Sequence, residues 1–190
     1  MLLYDAGIIQ LVECLLAKQN VVGSSPISRS KTMINIGKIE TDLSPVLDWF
    51  ERKMQTDPDG RVNNYTGTRK PNGAQHTISK QDRVFTFLFS KINQIARERY
   101  NHYSIIDIWT NVNLPNGINK KHTHVGADIA GCFYVKVPPN SGDIEFETGE
   151  RFTPKVGDIY WWDASIPHWV HTNESDEVRY SIAFNIKGLE

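Results

Sequence analysis

Residues 103–113 read YSIIDIWTNVN, and at this stretch the spacing of apolar residues along the chain changes. Apolar and polar side chains alternate here, so Ile106, Ile108 and Val112 are predicted to share one face of a β-strand. The other face of that strand takes Tyr103, Asp107, Trp109, Asn111 and Asn113. We expect the first face to pack on helices and the second to line a polar cavity.

The rest of the chain consists of short apolar segments separated by turn-forming residues. Leu114-Pro115-Asn116-Gly117 is predicted to be a turn. Further strands are predicted at Ile118–His124, Ile129–Val137, Asp143–Glu147, Asp158–Trp162, His168–Thr172 and Val178–Ile186. Many short strands at this spacing favour a β-sandwich or barrel. We therefore predict a mainly β protein with N-terminal helices, built as a double-stranded β-helix, which is also called a jelly roll or cupin-like barrel.

Two helices are predicted ahead of these strands. The first has Ser44 as its N-cap and Pro45 in its first turn. Its apolar stripe is Val46, Leu47, Phe50 and Met54. The second opens with a capping box at Ser79–Asp82 and runs to about Tyr100. The polar, Gly-containing residues 61–77 between them are predicted to be a loop.

Length and composition indicate one globular domain. The chain has 190 residues, of which 39% are hydrophobic and 23% are charged, enough to bury a sizeable core. The net charge of −1 gives no general field for nucleic acid or an anionic membrane. Two cysteines, Cys14 and Cys132, provide no disulfide framework, and we expect a cytoplasmic location.

The chain is predicted to divide into three regions. Residues 1–32 are a doubtful N-terminal extension, 33–102 a helical support and 103–190 the β-helix core. Gln10-Leu11-Val12-Glu13-Cys14 and Gly23-Ser24-Ser25-Pro26 can be back-translated into the D-arm and T-arm of a transfer-RNA gene. One hypothesis is that the functional protein begins at Met33. The other is that residues 8–16 form a genuine short helix.

Three histidines occur at spacings typical of a metal site. His122 and His124 are two apart, so an extended strand would point both imidazoles the same way. His168, on a later strand, can supply a third ligand, and imidazole suits iron, zinc and copper. Eleven positions on, Arg179 offers a planar donor fork for a carboxylate, and Ser181 shares its strand face.

The pattern His122-x-His124, His168, Arg179-x-Ser181 resembles that of the iron(II)- and 2-oxoglutarate-dependent dioxygenases. The segments 130–138, 141–146 and 154–158 are similar to a phage and bacterial branch of that family with an HxH pair and an SGVYYV-type strand. The resemblance covers roughly residues 103–186. It departs from the wider family at His124, which occupies the usual carboxylate position.

The resemblance implies a cofactor, a co-substrate and a reaction. Iron(II) would be held by His122, His124 and His168, and 2-oxoglutarate would chelate it while Arg179 and Ser181 hold the far carboxylate. Oxygen would be consumed, succinate and CO2 released, and a substrate C–H bond hydroxylated. If the gene is phage-borne, the protein is expected in the host cytoplasm.

Other residues are weaker candidates. Asn111, Asn113 and Tyr134 are predicted to bind the co-substrate through hydrogen bonds, and Tyr134 has a core role as an equal alternative. Asp128 is an alternative metal ligand, since counting by two from His124 puts it on the ligand face. His171 faces away from His168 and is expected near the site or on the surface.

Two other functions fit the same residues. A cupin-type protein could bind metal or a small acid without turnover. A three-histidine dioxygenase that needs no co-substrate would require no carboxylate clamp. The sequence leaves a protein residue such as proline, a nucleobase and a small metabolite as prime substrates, and it sets no oligomeric state.

Overall fold

The computed structural model describes residues 34–60 and 73–189. Its two main helices are α1 (Ser44–Thr56) and α2 (Thr86–Arg97). The ten strands are β1 (Ile34–Lys38), β2 (Gly73–Ala74), β3 (Tyr103–Asn113), β4 (Asn119–His122), β5 (Ile129–Lys136), β6 (Ile144–Phe146), β7 (Arg151–Phe152), β8 (Asp158–Asp163), β9 (His168–Val170) and β10 (Arg179–Gly188). The predicted region 1–32 lies outside the described residues.

The strands form two antiparallel sheets. The larger has the order β1-β8-β5-β10-β3-β2, and the smaller has the order β4-β9-β6-β7. Side chains of both sheets, including Tyr134 and Trp162 of the larger and Ile144 and Phe146 of the smaller, share one apolar cluster. The predicted double-stranded β-helix is confirmed.

The second apolar cluster lies between the helices and the outer face of the larger sheet. Phe50 of α1 and Leu88 and Ile92 of α2 are fully buried there. They pack with alternate residues of the central strands, such as Ile182 and Phe184 of β10. The helices therefore support the sheet from behind and leave its inner face to the smaller sheet.

Both helices begin differently from the prediction. Ser44 is the first residue of α1 rather than its cap, and its backbone N–H donates to Asp42 Oδ1 at 2.9 Å. Trp49, which the predicted stripe did not include, is also buried on this helix. The Ser79–Asp82 box closes a turn, with Ser79 N–H donating to Asp82 Oδ2, and α2 starts only at Thr86 after a 3₁₀ turn.

A bulge in β3 corrects the predicted alternation of that strand. Asn185 of β10 faces Asp107, and the next residue, Ile186, faces Ile105, so Ile106 has no partner on β10. An extra residue in one strand turns its side chain off the expected face. Ile106 is consequently 51% exposed, whereas Ile108 is 4% exposed in the core.

Three short strands were not predicted. β1 pairs with β8, β2 pairs with β3, and β7 pairs with β6. β2 and β7 have two residues each, too few to show an alternating pattern. In the described part of the chain, no helix is long and apolar enough to cross a membrane.

The bulge gives a matched pair of substitutions. We expect Ile108→Ala to lower the free energy of unfolding by about 2–5 kcal/mol, because it leaves a cavity in the core. Ile106→Ala should cost less than about 1 kcal/mol, because about half of that residue is in solvent. Urea denaturation of both variants measures the difference, and equal costs would contradict the bulge.

Candidate active site

The three histidines lie in one cluster, although they occupy different positions relative to the strands. His122 ends β4, His168 begins β9, and these two residues pair in register. His124 lies two residues beyond β4, where its backbone N–H donates to Ala164 O at 3.0 Å. One ring nitrogen from each histidine lies within 4.8 Å of the others. The structure thus brings the three predicted metal ligands together.

Hydrogen bonds to backbone carbonyls orient two of the imidazoles. His122 Nδ1 lies 2.6 Å from Lys120 O, and His168 Nδ1 lies 3.1 Å from Ile166 O. A carbonyl oxygen only accepts, so each Nδ1 carries the proton and each Nε2 keeps a lone pair. Metal-bound histidines generally donate their second ring N–H in this way.

Burial keeps the cluster neutral. It is the largest cause of a lowered pKa at all three imidazoles, and at His168 the pKa is well below its usual range. Burial and the neighbouring His122 lower the pKa of His124 to about 4. Neutral imidazole is the form that binds metal. Geometry and protonation therefore both fit a divalent transition-metal ion.

Arg179 lines the same cavity as the histidines. The side chain is 1% exposed, and its NH1 group donates to Ser141 O at 2.8 Å and Gly142 O at 3.0 Å. Within the described residues its Nε has no hydrogen-bond partner, and no carboxylate pairs with it. Glu177, which lies two residues before Arg179 in the chain, pairs with Lys136.

Gly142 allows the approach that holds Arg179 in place. Its φ is +94°, and a Cβ at this position would lie 2.2 Å from His171 O. A residue with a side chain would have to shift the backbone whose carbonyls accept from Arg179.

The remaining predicted residues divide between the cavity and its surroundings. Ser181, Asn111 and Tyr134 line the cavity. Asn113 is fully buried and donates its Nδ2 to Asn119 Oδ1 at 2.9 Å, so it supports the wall. The hydroxyl of Tyr134 is buried without a hydrogen-bond partner among the described residues.

Asp128 does not join the histidines. Its carboxylate accepts from Lys187 Nζ at 2.8 Å and from the backbone N–H of Gly188 at 2.9 Å. Counting by two fails because a turn follows β4, in which Ala127 N–H donates to His124 O. His171 also lies apart, with its Nε2 2.7 Å from Glu145 Oε2.

Asn119 and Trp162 are among the lining residues that the sequence analysis did not propose for the site. Asn119 pairs with Val170 and His122 with His168, so Lys120 and Lys121 together face the single residue Trp169. This bulge puts Asn119 and His122 on one side although they are three apart. The ring of Trp162 lies 4.7 Å from that of His168 between centroids, and alternation along β8 could have indicated it.

Metal-free protein should lose stability on acidification because of this cluster. His124 binds a proton near pH 6.5 when unfolded but only near pH 4 when folded. Its contribution is therefore complete above pH 6.5 and is lost as the pH falls through 4. We expect His124→Gln to lose less stability than the wild type between pH 7 and pH 4, as measured by urea denaturation with chelator. Parallel pH profiles would contradict this.

Comparison with known proteins agrees with this geometry. Residues 107–153 match the family model described as "Putative 2OG-Fe(II) oxygenase". No curated protein sequence matches the chain.

Solved structures of the same fold include three informative examples. A viral collagen prolyl hydroxylase from Paramecium bursaria Chlorella virus-1, in complex with 2-oxoglutarate, has 12% identity and a TM-score of 0.66, covering 85% of this chain and 99% of its own. A Trichoplax adhaerens prolyl hydroxylase, with a hypoxia-inducible-factor peptide, has 14% identity and a TM-score of 0.64, covering 83% and 84%. HygX from Streptomyces hygroscopicus, with nickel and 2-oxoglutarate, has 11% identity and a TM-score of 0.60, covering 86% and 88%.

These matches and the cluster of HxH pair and third histidine lead to one conclusion. The chain resembles the iron(II)- and 2-oxoglutarate-dependent oxygenases, in sequence over residues 107–153 and in its double-stranded β-helix fold.

Proposed function

We propose that this protein is an iron(II)- and 2-oxoglutarate-dependent dioxygenase that hydroxylates a C–H bond and releases succinate and CO2. His122, His124 and His168 hold the iron. Arg179 and Ser181 hold the carboxylate of 2-oxoglutarate that lies away from the metal.

The observation that carries this proposal is the buried cation beside the histidine cluster. Burying a charge is costly unless the charge is paired, and Arg179 has only two carbonyl partners among the described residues. A carboxylate in the cavity would complete the pairing with charge-assisted hydrogen bonds. Arg179 and the three histidines line the same cavity. This cavity therefore suits a ligand that has a carboxylate for Arg179 at one end and a metal-chelating group at the other.

Other lining residues favour the same ligand. Asn111 Oδ1 accepts from Gln75 Nε2 at 2.6 Å, which leaves its Nδ2 as a donor toward the cavity. Burial raises the pKa of Tyr134 well above its usual range, so its hydroxyl stays neutral and can donate. Among the lining residues that the structure describes, none is acidic. The cavity therefore offers donors and positive charge to a dicarboxylate.

The protein supplies orientation and a dry pocket. Iron(II), when bound, supplies the oxygen chemistry that couples loss of CO2 from the co-substrate to oxidation of the substrate. The Nδ1–H groups of His122 and His168 keep their proton on the carbonyl side, so each Nε2 remains free for the metal. Trp109, Trp162 and Val170 line the cavity and restrict water.

A three-histidine dioxygenase without a co-substrate is the second candidate, because the ligand cluster contains no carboxylate among the described residues. Three neutral ligands leave a metal more positive than two histidines and one carboxylate do. Succinate formation separates the candidates. Our proposal requires succinate that depends on iron(II), 2-oxoglutarate and oxygen together. Substrate oxidation without 2-oxoglutarate would favour the second candidate, and metal binding without any oxidation would favour a binding protein.

His168→Ala should abolish iron binding, because it removes the ligand supplied by the partner strand and leaves the two imidazoles of one chain segment. Anaerobic equilibrium dialysis with iron(II) measures the stoichiometry. His171→Ala is the matched control and should bind iron as the wild type does, since that ring is bonded to Glu145. Unchanged stoichiometry in His168→Ala would refute the site.

Arg179→Ala should leave the metal in place but weaken 2-oxoglutarate binding. Loss of a buried charge-assisted contact costs about 2–5 kcal/mol, which is a factor of about thirty to several thousand in affinity. Arg179→Lys should retain part of the affinity, since it restores the charge without the fork. The measurement is an anaerobic titration of 2-oxoglutarate followed by the metal-to-ligand charge-transfer band. Equal affinities would make the binding-protein function the better one.

A further inference from the structure

His124 differs from the other two histidines in its hydrogen bonds. Its Nε2 lies 3.3 Å from His168 Nε2. The proton of His168 is on Nδ1, where Ile166 O accepts it. Its Nε2 therefore carries a lone pair, and two facing lone pairs would repel. Without metal, His124 must place its own proton on Nε2 and donate it to His168.

Metal binding requires that proton to leave. A metal ion held by both imidazoles would need the lone pair of each Nε2. A neutral His124 can then hold its proton only on Nδ1, on the other side of the ring. His122 and His168 have backbone carbonyls as acceptors for their Nδ1–H groups, whereas His124 has no such carbonyl in the described part of the chain.

Asn185 can supply an acceptor for the Nδ1–H of His124. Arg179, Ser181 and Ala183 of β10 line the cavity, and Asn185 is the next residue on the same face of that strand. Although burial lowers the pKa of His124, the side chain of Asn185 is close enough to that imidazole to raise the pKa in part, as an acceptor for a ring N–H does. Yet Asn185 Oδ1 is buried and, among the described residues, has no aligned donor. A buried unpaired acceptor is costly, so one without a partner calls for a ligand-dependent role.

We infer that Asn185 Oδ1 accepts the Nδ1–H of His124 in the metal-bound protein and so acts as a positioning residue for the metal. This inference rests on the proposed function of the histidine cluster. On metal binding, His124 releases the proton of Nε2 to solvent and takes one from solvent on Nδ1, so its net protonation is unchanged. The buried Oδ1 of Asn185 would gain an aligned donor at that step.

Zinc provides a diamagnetic probe of the tautomer. Long-range ¹⁵N–¹H correlation spectra of the full chain should show Nε2–H at His124 without metal and Nδ1–H after one equivalent of zinc. His122 and His168 should carry Nδ1–H in both states. An Nε2–H that persists at His124 in the zinc-bound protein would overturn the inference. A wild-type protein whose histidines do not respond to zinc would overturn the metal site itself, and the inference with it.

Substitutions test the same contact through metal affinity. Asn185→Leu removes the acceptor at similar size and should weaken zinc binding about 10–100-fold. Asn185→Asp retains an acceptor and should bind zinc at least as tightly as wild type. Asn93→Leu is the matched control, because Asn93 is a part-buried asparagine on α2 that bonds Tyr103 and Phe89 outside the cavity.

The control separates a local effect from a general loss of stability. Asn93→Leu should keep wild-type zinc affinity even if its melting temperature falls. Wild-type affinity in Asn185→Leu, or an equal loss in Asn185→Asp, would overturn the positioning role. If Asn185→Leu does not fold, Asn185→Asp carries the test: a carboxylate acceptor should shift the His124 Nδ1 resonance of the zinc-bound protein, and an unshifted resonance would overturn the positioning role.

Discussion

The alternation of side chains along β10 is the constraint on which the site depends. This strand is hydrogen-bonded to β3 on one side and to β5 on the other, which fixes its register. Ile182, Phe184 and Ile186 must then face the helices. Arg179, Ser181 and Ala183 are forced toward the cavity. A slip of one residue would put a guanidinium into an apolar core, so the core that stabilises the fold also orients the site.

The charge of the cavity follows from what the fold places beside Arg179. The three imidazoles are held neutral by burial, and no acidic residue lines the cavity within the described ranges 34–60 and 73–189. The Ser141 and Gly142 carbonyls offset part of the cost of burying the guanidinium, but they carry no net negative charge. The lining therefore carries positive charge without a compensating negative charge, and anionic ligands are favoured over neutral ones of the same shape.

The features that the sequence predicts correctly are those that depend on regular alternation of side chains along a strand. The jelly-roll class, the meeting of His122 with His168 and the inward direction of Arg179 all follow from period-two patterns on strands with fixed partners. The predicted direction of a side chain was wrong wherever an extra residue interrupts the two-residue alternation. Ile106 in β3 and the pair Lys120 and Lys121 in β4 are bulged, and neither bulge has a glycine to mark it. The local pattern around Asp128 likewise gave no sign of its partner Lys187, which is 59 residues away.

The bulge in β4 has a consequence for comparing related chains. The backbone carbonyl of Lys120, rather than its side chain, holds His122, and Lys121 is turned outward over the Trp169 ring. Residue identity at these two positions is therefore weakly constrained by the site. The number of residues between Asn119 and His122 is constrained. Deleting one of them would restore regular pairing and rotate Asn119 out of the cavity wall. In an alignment of related chains, we expect no insertions or deletions between Asn119 and His122, whereas the amino-acid types at the two intervening positions are free to vary.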